Sequence, residues 1–235
     1  MRYACMIPPA DDFDHPLAER FRTFVQSASF PCVGAKAALS REGMHFVVGR
    51  DIRSAWDDLR IYPNLLHLAR SYREEPKLFQ SLVVLFEEDA KLNEPGFESN
   101  LWKRLNSLSQ KDEWLGQDVD PRVDHDPESP HFSLSFGGEA FFVVGLHPGA
   151  SRPARRFERP ALVFNLHDQF EQLRAQGRYE KLREAIVERD VALAGSVNPM
   201  LARHGAASEA RQYSGRVVPD DWKCPYSGRS ARDAA

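Results

Sequence analysis

The strongest constraint on the fold is a pair of apolar runs, Ala140–Leu146 and Ala161–Asn165, each of which reads as a strand. The first runs into His147-Pro148 and a loop that carries Arg152, Arg155 and Arg156. The second is followed by His167, which opens a helix. Two such strands are expected to bring two histidines and three arginines to one end of a sheet. Loops at strand ends are where sites usually sit, so the remaining chain is read as walls around this place.

The chain has 235 residues, enough for one large domain or two small ones with a sizeable core. Its formal net charge of −3 gives no global attraction to nucleic acid. The arginines cluster near 150–160 and 203–232, and their planar forks suit carboxylates and phosphates. Cys5, Cys32 and Cys224 show no paired spacing, which argues against a disulfide framework or zinc site. The start MRYACMIPPADD lacks the pattern of a signal peptide. No apolar run approaches the length of a membrane span. A soluble, cytoplasmic protein with no membrane or nucleic-acid partner is expected.

In chain order, residues 1–14 read as a loose arm, 15–226 as a single domain and 227–235 as a flexible tail. His15-Pro16 opens a helix to about residue 28. Cys32–Leu39 and Met44–Gly49 flank Ser40–Gly43 and predict a hairpin. The pattern over 54–74 is helical, with Pro63 predicted to break or kink it. That apolar helix could pair across a two-fold axis, making a homodimer. Residues 81–87 read as a buried strand and 95–114 as a helix. The Pro- and Asp-rich segment 116–130 reads as an irregular loop. Phe132–Phe136 and Glu139–Leu146 form a hairpin around Gly137-Gly138. Asp168 is an N-cap for a helix ended by Gly177, another helix covers 178–193, and a short one lies near 206–213. The sum predicts α+β, with a mainly antiparallel sheet of about six strands flanked by helices.

His147, fixed by the following proline, suits a metal ligand or general base; the plainer role is a hydrogen-bonded core histidine. His167 at a helix N-terminus favours the neutral form and a packing role. His125 and His131 fall in a polar loop, and His204 in a turn. Cys32 could present a thiolate, although a buried small hydrophobe is the commoner use of a lone cysteine. The arginine loop wants anions, unless it is a solvated basic loop. Glu209, Gln212 and Tyr213 form a dense polar set that could recognise a substrate or pair within the protein. No dinucleotide, P-loop, zinc-protease or nucleophile-elbow motif is present in the sequence.

Longer blocks carry a resemblance: FPCVGAKAAL (30–39), FFVVGLHPGASRPARRF (141–157), PALVFNLHDQFEQLR (160–174), NPMLARHG (198–205), SEARQYSGR (208–216) and Trp222–Pro225. They resemble the YqcI/YcgG family, and most closely its branch of heme-dependent N-hydroxylases of the guanitoxin pathway. A heme protein of D-cycloserine biosynthesis that N-hydroxylates arginine looks like a relative. The resemblance implies an enzyme with b-type heme and O₂ as co-substrate. It implies His147 as the axial ligand, with Cys32 the alternative. Arg152, Arg155 and Arg156 would pair with the propionates, and Asn165 and Arg216 would also contact the cofactor. Glu209 would face the guanidinium or amine of a small amino-acid-like substrate, with Gln212 and Tyr213 beside it. Electrons would come from a separate donor of the ferredoxin or flavin-reductase type. Two other readings are a heme-binding or gas-sensing protein without turnover, and a heme-free domain whose arginines grip an acidic partner.

Overall fold

The computed structural model describes residues 9, 11–89, 91–200 and 205–228. Cys5, His204 and most of the predicted arm and tail lie outside them. The elements run α1 (Pro16–Gln26), α2 (Val33–Ser40), β1 (Met44–Gly49), α3 (Asp58–Glu74), β2 (Ser81–Phe86), α4 (Glu94–Trp114), β3 (Leu134–Phe136), β4 (Glu139–Leu146), β5 (Ala161–Leu166), α5 (Asp168–Ala175), α6 (Tyr179–Ala194) and the single turn α7 (Ala210–Tyr213). The strands form one sheet in the order β1-β2-β5-β4-β3. β1 and β2 are parallel, with α3 as the crossover; the other pairs are antiparallel.

The fold is therefore α+β, but the sheet is mixed and has five strands rather than about six. The difference traces to Cys32–Leu39, which forms helix α2 instead of the first arm of a hairpin. Its residues VGAKAALS include strong helix formers, and the Cys32 Sγ accepts from the Ala35 N–H at 3.4 Å. The intended hairpin turn is the helix's C-terminal turn, closed by Gly43 N–H to the Ala38 carbonyl, with Glu42 at φ 57°.

Pro63 does not end α3. The Asn64 side chain donates to the Arg60 carbonyl at 2.8 Å, satisfying a helical acceptor beside the proline. The hairpin around Gly137-Gly138 is as expected: φ of 59° and 85° give the left-handed pair that a two-residue turn of this hand requires. Asp168 is the first residue of α5 rather than its cap, because its carboxylate is committed to Tyr72, Arg122 and Gln172.

One sheet face packs on α3 and α4 through Val84, Phe86, Phe141, Val143, Leu162 and Phe164. The other meets α1, α2 and the start of α6 through Phe46, Val83, Leu85 and Ala161. The last described stretch closes over α4: the Tyr226 hydroxyl bonds to Ser109, and Asn106 grips Pro225 and Ser227. At the other terminus Asp12 binds the Val48 N–H and Arg60, tying residues assigned to the arm onto the edge of β1. Among the described residues, no helix is long and apolar enough to cross a membrane.

The antiparallel β4–β5 register pairs Phe141 with Leu166 and Leu146 with Ala161. His147 and His167 therefore leave opposite ends of the strand pair, separated by on the order of 23 Å of strand. The expected gathering of both histidines at one sheet end is corrected: a parallel pair would have produced it, and this pair is antiparallel.

Candidate functional site

Two features stand out. The first is a sheet face that the helices cover incompletely. Strand alternation places Val144 and Leu146 of β4, and Ala161, Val163 and Asn165 of β5, on the side of α2 and α6. β5 is the middle strand, yet Val163, Asn165 and the neighbouring Val144 are only partly buried. Their opposite-face neighbours Val143, Leu162 and Phe164 are fully buried. α6 has 16 residues and none is buried. It packs chiefly on α2, α5 and the turn at Pro153–Arg155. The helical layer thus stands off the sheet over Val144 and Val163, and Cys32, Ala35, Leu39 and Leu182 border the same cluster.

Cys32 sits at the α2 N-terminus, with burial pushing its thiol up and the Ala35 and Gly34 N–H groups and the charge of Arg155 pulling it down. Arg155 is itself enclosed, and burial lowers its guanidinium to about 10. Its Nη1 donates to the Gly145 and Tyr213 carbonyls at 3.0 and 3.4 Å, and its Nη2 to the Gln212 carbonyl at 3.2 Å. Arg156 donates to the carbonyls of Ala150 and Ser151. Arg152 grips Asp190 and Ser196 at the far end of α6. Arg152 and Arg155 thus tie the β4–β5 loop to α6 and α7, while Arg156 braces the loop on itself. Of the three, Arg155 lies nearest the Cys32 thiol electrostatically.

His147 points the other way. Its ring stacks on Phe97 of α4 with centroids 4.3 Å apart, and it is 1 % exposed. Gly149 lies over it: a Cβ there would come within 3.4 Å of Nδ1 and 2.9 Å of the Leu92 carbonyl. Burial lowers its pKa, against the pull of Glu94 and the Leu92 backbone, so the ring is neutral at pH 7, and among the described residues Nδ1 has no partner in hydrogen-bonding geometry. Arg216 forms a fork on Glu98 of α4, which also accepts from Ser214. Asn165 accepts from the Ser81 hydroxyl at 2.8 Å and faces the half-covered side.

The second feature is an acidic cleft of about 200 Å³ at the end of β5, lined by Arg122, His131, His167, Asp168, Glu171 and Glu209 among others. His167 Nε2 lies 3.6 Å from Glu209 Oε1. Of the three carboxylates here, Asp168 is paired with Arg122 and Glu171 with Arg174, which leaves the cleft only a modest negative character. Gln212 is half-buried on α7 beyond it. Tyr213 is 0 % exposed and packs against Trp102, Phe132 and Phe142, so it belongs to the core and does not face the cleft.

Sequence reasoning missed the group that shapes this cleft. Arg122 bonds Asp120, Glu139 and Asp168 at 2.6 to 2.8 Å. The Tyr72 hydroxyl donates to Asp168 at 2.9 Å and accepts from Gln172 at 2.9 Å. Only the Pro- and Asp-rich composition of 116–130 signalled an ordered loop; its partners come from three distant segments, α3, the start of β4 and α5. A second cleft of about 420 Å³ lies between α3 and the starts of β1 and β2, with His45, His67 and Tyr72 in its wall.

Comparison with curated proteins and with solved structures gave no significant match. The model of the YqcI/YcgG family matches residues 21–227, a span that takes in both features and nearly all of the fold. On that match, the chain belongs to the YqcI/YcgG family.

Proposed function

We propose that this protein is a heme-dependent oxygenase that N-hydroxylates a guanidine or amine of a small amino-acid-like substrate, using O₂ and electrons from a separate donor. The observation that carries the reading is the half-covered face of the central strand. Apolar side chains at the middle of a sheet are normally sealed, and here a helix laid over them seals none of itself. A flat apolar ring would lie between this face and α6. Val144, Val163 and Leu182 would meet its faces and Asn165 its edge.

Cys32 is the residue on this side that would ligate the iron. Burial holds the Cys32 thiol above its ordinary value; the helix N-terminus and Arg155 oppose that rise, and binding of the iron would supply the rest of the drive to a thiolate. Arg155 would serve the ligand's charge, because its donors are held by carbonyls. Arg152, Arg156 and Arg216 would hold the walls. Bound heme would supply the reductive activation of O₂. The chain's own work is to orient the substrate and exclude water. Glu209 would hold the substrate's positive end, with Asp168 and Glu171 nearby on their own partners Arg122 and Arg174, and His167, beside Glu209, would hold or pass a proton at Nε2. Gln212 stands next to this cleft as a further polar contact.

A second reading keeps His147 as the ligand, and its unpartnered Nδ1 favours it. That nitrogen would need Gly149 and the Leu92 carbonyl to move aside.

The test is the absorption spectrum of protein produced with ample heme, oxidised, reduced and with CO, followed by turnover of arginine under reductant and air. Heme uptake with a thiolate-type ferrous-CO band that is lost in Cys32→Ser, together with an N-hydroxylated product, is expected. A band that survives in Cys32→Ser and is lost in His147→Ala would move the ligand to His147. Heme uptake with no product from any guanidine or amine tried would make the protein a non-catalytic heme binder or gas sensor. A colourless protein that takes up no hemin would end the proposal.

A further inference from the structure

The packing of α6 points to a device that stands whatever group occupies the sheet face beneath it. Its 16 residues bury none of their number, although helices of this length in a folded domain are usually held by a buried apolar stripe. At its N-terminal end, Leu182 packs on the core cluster and the Arg174 guanidinium lies 4.3 Å over the Tyr179 ring. Gly177 precedes it and Gly195 follows it, at φ 65° and 73°. A Cβ on either would meet nothing within 4 Å, so these glycines serve backbone conformation rather than close packing.

The C-terminal end is held differently. Arg152, from the β4–β5 loop, reaches Asp190 and the Ser196 hydroxyl and carbonyl, the last two at 3.2 and 3.0 Å. The pair is shielded: the side chains are 9 % and 14 % exposed. An ion pair closed off from water is strong while intact and costly to break on one side. The part-exposed Val144, Val163 and Cys32 pack on the same apolar cluster as Leu182 of the helix.

We propose that α6 is a lid over the β4–β5 face, turning at Gly177 and latched by Arg152 to Asp190 and Ser196. Release of the latch opens the path by which a ligand reaches that face. The sequence reading gave Arg152 an anion of the cofactor; here its anion is the lid's own aspartate.

Cys32 serves as the reporter. In heme-free protein carrying Cys5→Ser and Cys224→Ser, the rate of Cys32 modification by a small thiol reagent is measured beside hydrogen exchange of the α6 amides. Asp190→Asn and Arg152→Ala are each expected to speed Cys32 modification on the order of tenfold or more. Exchange should rise in 179–194 while α3 and α4 keep their protection. The double exchange Arg152→Asp with Asp190→Arg should return the rate toward the starting value. An unchanged Cys32 rate in both single variants would overturn the lid. So would exchange that rises equally in α3 and α4, because the pair would then hold the whole fold and not a lid.

Discussion

Tyr213 is enclosed by Trp102, Phe132 and Phe142, and its hydroxyl donates to the Phe141 carbonyl at 3.3 Å. Tyr213→Phe should therefore cost about 1 kcal/mol in urea unfolding and leave ligand binding unchanged. Tyr213→Ala should cost about 3–5 kcal/mol. Loss of substrate binding in the phenylalanine variant, with stability intact, would return the hydroxyl to the site. His147 makes a pH prediction. Burial holds its native pKa below the ordinary 6.5, so between those values the unfolded chain binds more protons than the folded one. Stability then rises with pH across that window, and is lost as pH falls below about 6.5. His147→Gln should flatten this slope; an equal slope in both proteins would mean that folding does not shift the His147 pKa. These residues also mark what sequence could say. That His147 ends a strand was legible from Ala140–Leu146 and Pro148. Which face it turned to was not, because alternation fixes a residue's face only once neighbouring helices are placed.

Three elements meet at Gly145 of β4. A Cβ there would lie 2.7 Å from Phe97 Cε1, 2.8 Å from Leu101 Cδ1 and 2.9 Å from the Tyr213 carbonyl. The first two atoms belong to α4 and the third to α7, and none can retreat without moving a buried element. Gly145→Ala should cost about 1–3 kcal/mol by overpacking, read as a lower urea midpoint with the same slope. A neutral result would show that α7 sits more loosely on β4 than the contacts imply. Element identity was legible wherever one period dominated: α1, α4, β2, β4 and β5 follow from their apolar spacing. It failed at 32–39, where a short run of small apolar residues fits a strand or a helix equally. The cap by Cys32 and the chain reversal at Glu42 and Gly43 decided for the helix. That one change removed a strand; the parallel β1–β2 pair follows separately from the α3 crossover and makes a mainly antiparallel sheet mixed.

Arg122 joins the molecule at a larger scale. It lies in the loop between α4 and β3 and bonds Asp120 of that loop, Glu139 at the start of β4 and Asp168 at the start of α5. Asp168 in turn holds Tyr72 of α3. Loop, sheet end and two helices are thus fixed around one guanidinium that also lines the acidic cleft. No sequence pattern announces this, because the partners have no common period and are separated by up to 96 residues. Asp120 and Glu139 have side chains 1 % and 6 % exposed, whereas that of Arg122 is 50 % exposed. Arg122→Ala should therefore cost about 2–4 kcal/mol at pH 7, below a fully buried pair because solvent already screens one partner. The sign with pH follows from Glu139. Burial raises its pKa above the ordinary 4.5, and Arg122 opposes that rise. Without Arg122 the native pKa climbs further, so the folded state holds a proton that the unfolded state releases. Stability of the variant then increases as pH falls from 7 toward 4.5, while the parent gains less. The gap between the two unfolding curves should narrow on acidification. At pH 7 the variant's cleft, now lined by carboxylates without their guanidinium, should bind a small guanidinium probe such as agmatine more tightly than the parent does. A gap that stays constant with pH, and a probe affinity that does not rise, would reduce Arg122 to a packing residue and take from the cleft its claim to be tuned for cations.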